Sequence, residues 1–321
     1  MSTLLFETPM TQTRSFAEEL QASTAAVRLQ VKWLGVRRSV NATQRHRAAD
    51  VFDAETKFVT MGKKLIDTKH PAYQRLVAVR YTIQNVWRNS TLPFPEQGIR
   101  LVKRRNLDVL MERMNELRDE LHDAERDLND CYDELRYAAR NRLGRLYNDN
   151  DYPNSLIGMF DIFVDHPNVE PPEYLRHISP SLYRQESERI RNRFDEAVRL
   201  AEDAFLDELT KLVEHLTNRL SGTDDGKPKV FRDSVVTNLT EFFERFRRLN
   251  IGSNDELERL VFDARLILGN TTADDLRNSA NLRQRVATDL SRVQSQLDGL
   301  MVDRPRRNLI RRNGGNNGSR D

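Results

Sequence analysis

Three groups of basic side chains are the main candidates for a binding site in this sequence. Arg and Lys in stretches without acids bind phosphate oxygens. The first stretch, from Gln21 to Ala49, holds no Asp or Glu. Across the three groups the candidate binding residues are Arg28, Lys32, Arg37, Arg38, Arg45, Arg47, Arg100, Lys103, Arg104, Arg105, Arg304, Arg306, Arg307, Arg311 and Arg312. They predict contacts with an acidic protein surface or with nucleic-acid phosphates, although solvated charges would give the same pattern. Because no reading helix or aromatic platform accompanies them in the sequence, the protein partner is favoured.

Metal ligands could come from one group, Asp161, Asp165, His166 and His177, which combines oxygen and nitrogen donors. The six histidines of the chain are otherwise scattered. No two of them have the four-residue helical spacing that brings a pair of imidazoles to one ion. We therefore expect no metal and no cofactor.

The segment Gly62–Asp67, which reads GKKLID, invites comparison with a phosphate-binding loop. No glycine stands five residues before Gly62, and Lys63 is not followed by Ser or Thr, so the backbone cradle and the magnesium-binding hydroxyl are missing. The Gly-x-Ser-x-Gly motif of serine hydrolases is also absent. The sequence thus predicts a protein that is not an enzyme and has no small-molecule substrate.

Composition favours long solvated helices, since 31% of the 321 residues are charged and only 13 Gly and 11 Pro interrupt the chain. The single cysteine, Cys131, excludes an intramolecular disulfide and fits a reducing compartment. Met1 to Leu20 lacks a signal-peptide pattern, and no run approaches the ~18 apolar residues of a membrane span. We expect a cytoplasmic protein without membrane contact.

Apolar residues recur at alternating spacings of three and four from Leu107 to Ala138, which is the heptad period of a helix packed along one seam. The pattern predicts one long helix from Leu107 to about Tyr147. Its seam consists of Leu107, Leu110, Met114, Leu117, Leu121, Ala124, Leu128, Cys131 and Leu135. Eleven acids and three arginines between Asp108 and Glu134 are typical of the solvated outer face of such a helix. Cys131, on the seam, is expected to be buried rather than reactive.

A second apolar stripe, from Leu182 to Leu220, predicts another long helix. Its seam residues are Ile190, Phe194, Val198, Ala201, Phe205, Leu209, Leu212, Leu216 and Leu220. In an antiparallel hairpin the numbers of paired positions have a constant sum, here about 326, which places Leu121 against Phe205 and Cys131 against Phe194. We therefore predict a coiled-coil hairpin closed within the chain rather than a parallel homodimer.

The period changes to two from Val27 to Trp33, as expected for a half-buried strand. Its partner is expected to be Ile99–Val102 or a strand from the proline-rich segment after Tyr147. The mixed segment from Ala42 to Met61 is predicted to be helical around its apolar residues, among them Phe52 and Phe58. Pro71 is predicted to open a further helix.

These elements predict a mainly α protein, with a long antiparallel coiled-coil hairpin, a small α+β N-terminal head and C-terminal helices. The predicted boundaries are a flexible arm at 1–24, the head at 25–100, the hairpin at 101–221 with a proline-rich insert at 148–180, C-terminal helices at 222–303, and a disordered basic tail at 304–321. The apolar run Leu156–Val164 inside the insert indicates a docked segment rather than a linker.

Several short motifs stand in a familiar order before Phe94. They are Trp33, Gly35-Val36-Arg37-Arg38, Gly62–Asp67, His70-Pro71 and Leu76-x-x-Val79-Arg80. This order resembles an uncharacterised family of helical proteins from bacteria, phages and plasmids, often encoded near MoxR-type AAA ATPases and von Willebrand A-type proteins. The resemblance covers most of the chain and implies an accessory protein with a ring ATPase as partner, but no catalytic residues. The sequence therefore predicts a non-enzymatic scaffold or adaptor, with a nucleic-acid-associated protein as the alternative.

Overall fold

A computed structural model describes residues 14–221 and 232–302 of the chain. Its eleven helices are α1 (Phe16–Ser23), α2 (Ala42–Asp50), α3 (Pro71–Ser90), α4 (Leu107–Asp130), α5 (Tyr132–Leu143), α6 (Tyr174–Ile178), α7 (Pro180–Leu220), α8 (Ser234–Leu249), α9 (Asp255–Leu268), α10 (Ala273–Asn278) and α11 (Ala280–Val302), all within the described residues. Six strands accompany them there: β1 (Thr24–Lys32), β2 (Arg37–Ser39), β3 (Gly62–Lys64), β4 (Leu92–Pro93), β5 (Ile99–Lys103) and β6 (Asp161–Asp165). The prediction of a mainly α chain with a small sheet is confirmed.

The chain divides into two compact units, Met1–Ala201 and Glu202–Asp321. The division falls inside α7, within the 101–221 stretch that the sequence predicts to be one hairpin. Over the described ranges, no helix combines the length and apolar character needed to cross a membrane. The predicted disordered tail, 304–321, and most of the predicted flexible arm, 1–24, lie outside the described residues.

The sheet of the first unit is antiparallel, with the strand order β4-β5-β1-β6. The strand predicted around Val27 runs as β1 and pairs with both of its expected partners. Val27 lies opposite Arg100 of β5, and Val31 lies opposite Ile162 of β6. The proline-rich insert is therefore docked through β6, as predicted from its apolar run.

One face of this sheet packs on α3 and α4. Val27, Val102 and Ile162 share a core with four buried residues of α3 and most of the α4 seam. The α3 residues are Tyr73, Leu76, Ile83 and Trp87. Burial of such side chains contributes roughly 1.5–3 kcal/mol each, so this layer is the main source of stability in the unit.

Within the first unit, the predicted seam partners Cys131 of the α4–α5 junction and Phe194 of α7 contact other residues. Cys131 lies 3.9 Å (Sγ to Nδ1) from His70, whereas Phe194 packs edge-on against Phe94, with ring centroids 5.4 Å apart. The α4 seam is already filled by α3 and the sheet, and Arg191 of α7 forms an ion pair with Glu18 of α1 instead. α7 is one long helix, as predicted, but a coiled coil between it and α4 is not confirmed.

The predicted long helix at 107–147 is interrupted at Cys131, which separates α4 from α5 with backbone angles of −98° and 8°. Its thiol donates to the carbonyls of Leu128 and Asp127, and partial burial raises its pKa. The residue is half-buried rather than fully buried. A raised pKa leaves little thiolate at neutral pH, which agrees with the prediction that Cys131 is not reactive.

The second unit is all helical over the residues that the structure describes there, 202–221 and 232–302. Phe205 of α7 contacts the rings of Phe242 and Phe246 of α8, at centroid distances of 6.2 and 5.0 Å. Leu209, Leu216 and Leu220 are buried beside it, whereas Leu212 is only half-buried and its neighbour Val213 is buried instead. The seam prediction thus identifies most of the buried face of α7.

Candidate nucleic-acid interface

The four candidate metal ligands do not come together. Asp161 accepts from Arg118 at 2.7 and 2.8 Å and lies 3.2 Å from His122 Nε2, whereas Asp165 forms a bidentate ion pair with Arg28. His166 and His177 are exposed. Within residues 14–221 and 232–302, no group of three or more potential ligands is placed to hold a metal.

Asp161 gives a pH-dependent contribution to stability. Its hydrogen bonds from the Arg118 guanidinium lower its pKa to about 2, below the ordinary value of about 3.9 that applies in the unfolded chain. The contribution is complete above about pH 4 and is lost as the pH falls towards about 2. We expect the urea midpoint to fall over this interval, and less steeply in Asp161→Asn. An equally steep fall in both proteins would show that the pair with Arg118 does not contribute.

The second basic group has mainly structural roles. Arg100 donates to both the hydroxyl and the carbonyl of Thr91, and burial lowers its pKa to about 10. Arg104 donates from Nε to the carbonyl of Thr24. Lys103 is half-buried, and burial lowers its pKa, whereas Arg105 is exposed. Two of these four predicted binding residues therefore hold the sheet together.

The first basic group remains largely available. Arg28 is paired with Asp165, but five members are exposed and form no side-chain ion pair with any described residue. These five are Lys32, Arg37, Arg38, Arg45 and Arg47. The third group, Arg304, Arg306, Arg307, Arg311 and Arg312, lies outside the described residues. The candidate surface therefore centres on the segment from Lys32 to Lys64.

Strands β2 and β3 form a separate two-stranded ribbon that carries this segment. Lys63 is buried: its Nζ lies 2.6 Å from an Asp151 carboxylate oxygen and donates to the Leu146 carbonyl at 2.5 Å. Gln44 of α2 donates to the Arg145 carbonyl, and Tyr152 donates to that of Leu65. These contacts fix the ribbon on the rest of the first unit. Lys63 and Leu65 of the segment Gly62–Asp67 therefore attach the ribbon to the unit rather than bind a phosphate.

On the other face of the ribbon, two positively charged side chains lie opposite each other. Arg37 lies directly across from Lys64, and both side chains are exposed. Directly opposite residues of an antiparallel pair have Cβ atoms about 5 Å apart, and like charges there are destabilising. Because Lys63 points to the protein and its successor Lys64 to solvent, the strand alternation separates an anchoring cation from an available one.

The connection between the two strands carries exposed aromatic rings. Residues 51–58, which we name the hook, include Val51, Phe52 and Phe58, whose exposed fractions are 76%, 80% and 78%. α2 ends at Asp50, so the predicted helix through these residues is wrong. Ala49 is its one buried residue, which leaves α2 without an apolar face to continue. The hook supplies the aromatic platform that the sequence alone did not reveal.

The hook is held in a defined conformation. The amides of Phe52 and Ala54 both donate to the Ala49 carbonyl at 3.0 Å, and the Phe58 amide donates to that of Glu55 at 2.9 Å. Asp53, at φ 49°, takes the left-handed conformation that ends α2. Lys57 lies 4.9 Å from the Phe58 ring centroid and pairs with Glu55. The rings are thus presented on an ordered turn beside the ribbon.

His46 and Thr56 resemble a base and a nucleophile, with Nδ1 and Oγ1 2.8 Å apart. The nearest carboxylate, Asp50, lies 3.7 Å from the same Nδ1. A catalytic triad needs the acid on the other ring nitrogen, where it can hold the imidazole as the nucleophile loses its proton. The geometry instead ties the hook to α2.

Phe52, Phe58 and Lys64 are exposed, and the sequence did not identify them as candidate binding residues. The sequence contains one sign that the two rings are exposed. Ala42–Met61 has only a weak helical periodicity and no consistent apolar stripe that would bury them. Arg37, Arg38, Arg45 and Arg47 are exposed in the same segment of the chain. No family model, no curated protein and no solved structure matches this chain.

Proposed function

We propose that this chain is a non-enzymatic binding protein whose first unit holds nucleic acid by its phosphate backbone. The observation that carries the proposal is the ribbon, where Arg37 and Lys64 oppose each other without a neutralising partner among the described residues. The two cations repel each other in the free protein. A phosphate bound between them removes this repulsion, which adds to the free energy of binding. Arg45 and Arg47 on α2 extend the positive surface.

The proposal is tested by titrating the full chain against labelled DNA and RNA at several salt concentrations. We expect the logarithm of affinity to fall linearly with that of salt, with a slope of roughly 0.7–0.9 per phosphate neutralised. In the double variant Arg37→Gln with Lys64→Gln, the slope should become shallower by roughly 1.5, because two contacts are lost.

The matched control is Arg259→Gln with Arg285→Gln, which removes two exposed cations of the second unit. We expect this control to leave the affinity within about two-fold and the slope unchanged, since these side chains lie outside the proposed surface. An equal loss of affinity in both variants would mean that only net charge matters. The absence of binding at low salt would contradict the proposal itself.

A protein adaptor is the second candidate, supported by exposed apolar residues of the second unit. Phe262 and Leu266 are 63% and 70% exposed and lie four residues apart, on one face of α9. Such pairs on a helix surface are typical of protein contacts. The family resemblance supports a ring ATPase as the partner.

Pull-down of the full chain from its native cell, with and without nuclease, distinguishes the two candidates. Retention of a ring ATPase at high salt, lost in Phe262→Ser with Leu266→Ser, would support the adaptor. Recovery of nucleic acid that disappears with nuclease and moderate salt would support the first proposal.

A further inference from the structure

We infer that the hook and the ribbon together select single-stranded nucleic acid, with Phe52 and Phe58 stacking on bases while Arg37 and Lys64 hold phosphates further along the same strand. The inference rests on the proposed function and adds to it the form of the nucleic acid and a role for the aromatic rings. It starts from the exposure of the two rings, about four-fifths each, on the segment that joins the two charged strands.

The hook joins the ribbon at its Ser39–Gly62 end, and the Arg37–Lys64 pair lies two residues further along, at the other end. Phe58 precedes Gly62 by four residues, so its Cα lies within roughly 14 Å of that end of the ribbon. The Val40 amide donates to the Met61 carbonyl at 3.2 Å, which continues the ribbon towards the hook. A strand of nucleotides lying along the ribbon can therefore reach both the cations and the rings.

The chemistry of the hook favours bases over a protein surface. Two of its three exposed apolar side chains are planar aromatic rings, which stack on any base without reading its sequence. Bases of a duplex are stacked on one another and unavailable, so a ring platform of this kind selects unpaired strands.

The segment from Arg37 to Lys64 contains three acids, Asp50, Asp53 and Glu55, which are fewer than its exposed cations. Glu55 is neutralised by Lys57, with Oε2 2.5 Å from Nζ, and Asp50 lies beside His46. Asp53 occupies the left-handed position of the turn. Six cations, Arg37, Arg38, Arg45, Arg47, Lys57 and Lys64, are exposed in the same segment, so positive charge dominates the surface.

The experiment compares three labelled probes on the full chain: a single-stranded oligonucleotide, the same sequence as a duplex, and inorganic polyphosphate, which has charge but no bases. We expect the wild-type protein to bind the single strand at least ten-fold more tightly than the duplex. Phe52→Ala with Phe58→Ala should weaken single-strand binding by roughly thirty-fold or more, because two stacked bases at about 1–3 kcal/mol each are lost. Polyphosphate binding should change less than two-fold.

Tyr81→Ala is the matched control, since it removes an exposed aromatic ring of the same unit from α3. It should leave all three affinities unchanged. Because Phe52 and Phe58 are exposed, the double variant should also keep the wild-type unfolding midpoint, which excludes a general loss of structure.

Four outcomes would overturn the inference, and the last of them would also contradict the proposed function. Equal wild-type affinity for duplex and single strand, or a phenylalanine variant that binds the single strand normally, would remove the stacking role but keep phosphate binding. Loss of a protein partner in the phenylalanine variant, with oligonucleotide binding unchanged, would assign the rings to a protein interface. Failure of all three probes to bind would contradict the proposed function as well.

Discussion

Replacing Lys63 with alanine is expected to lower the free energy of unfolding of the first unit by about 3–5 kcal/mol. The ammonium is buried, with 6% of the side chain exposed, and contacts an Asp151 carboxylate that is itself 19% exposed. Its removal leaves that carboxylate without its ion-pair partner and the Leu146 carbonyl without its donor. Breaking one side of a buried ion pair is costly because the remaining charge stays desolvated.

Urea unfolding of the full chain, followed by circular dichroism, measures the effect. Lys64→Ala is the control, because the neighbouring side chain is exposed and its loss should change stability by less than about 0.5 kcal/mol. Removing Asp151 as well should restore part of the loss, since no unpaired charge then remains. Equal midpoints for Lys63→Ala and Lys64→Ala would show that the ion pair does not anchor the ribbon.

The periodicity of α4 predicted which of its residues are buried but not what they pack against. Leu110, Leu117 and Leu121 are all at most 2% exposed, as the seam requires. A stripe of leucines is equally complementary to a second stripe and to a sheet flanked by another helix, and only the tertiary arrangement distinguishes the two. A constant-sum match between two such stripes therefore does not by itself establish that the two helices pack together.

The candidate surface could be predicted only in part for a related reason. Runs without acids identify Arg37 and Arg45 as available, but the same rule selects Arg28 and Arg100, whose partners Asp165 and Thr91 lie far along the chain or across a strand. Exposed aromatic rings are even harder to predict from the sequence. Phe is usually buried, so a Phe residue is normally assigned to the core. Availability of a side chain depends on contacts that no local pattern contains.

The burial of Glu125, an acid of α4, also could not be predicted from the local sequence. The sequence groups it with the solvated acids of the outer face, yet it is only 3% exposed. One carboxylate oxygen accepts from the amides of Met159 and Phe160, at 2.9 and 3.0 Å. Asn129, one turn later, accepts from the Leu156 amide, so two α4 side chains together fix the segment that enters β6.

Glu125→Ala should therefore reduce the free energy of unfolding by about 1.5–3 kcal/mol, since the buried Phe160 amide loses its charged acceptor and the half-buried Met159 amide keeps only the Leu156 carbonyl. Glu125→Gln keeps an acceptor oxygen and should lose about 1 kcal/mol, the difference between a charged and a neutral acceptor. Glu112→Ala, at an exposed position of the same helix, is the matched control and should change stability little. Hydrogen exchange locates the effect, because the Met159 and Phe160 amides should lose protection in the alanine variant while those within β5 keep theirs. Unchanged protection at both amides would show that Glu125 is dispensable for docking β6, and the edge strand would then owe its position to pairing with β1 and to the contact of Arg118 with Asp161.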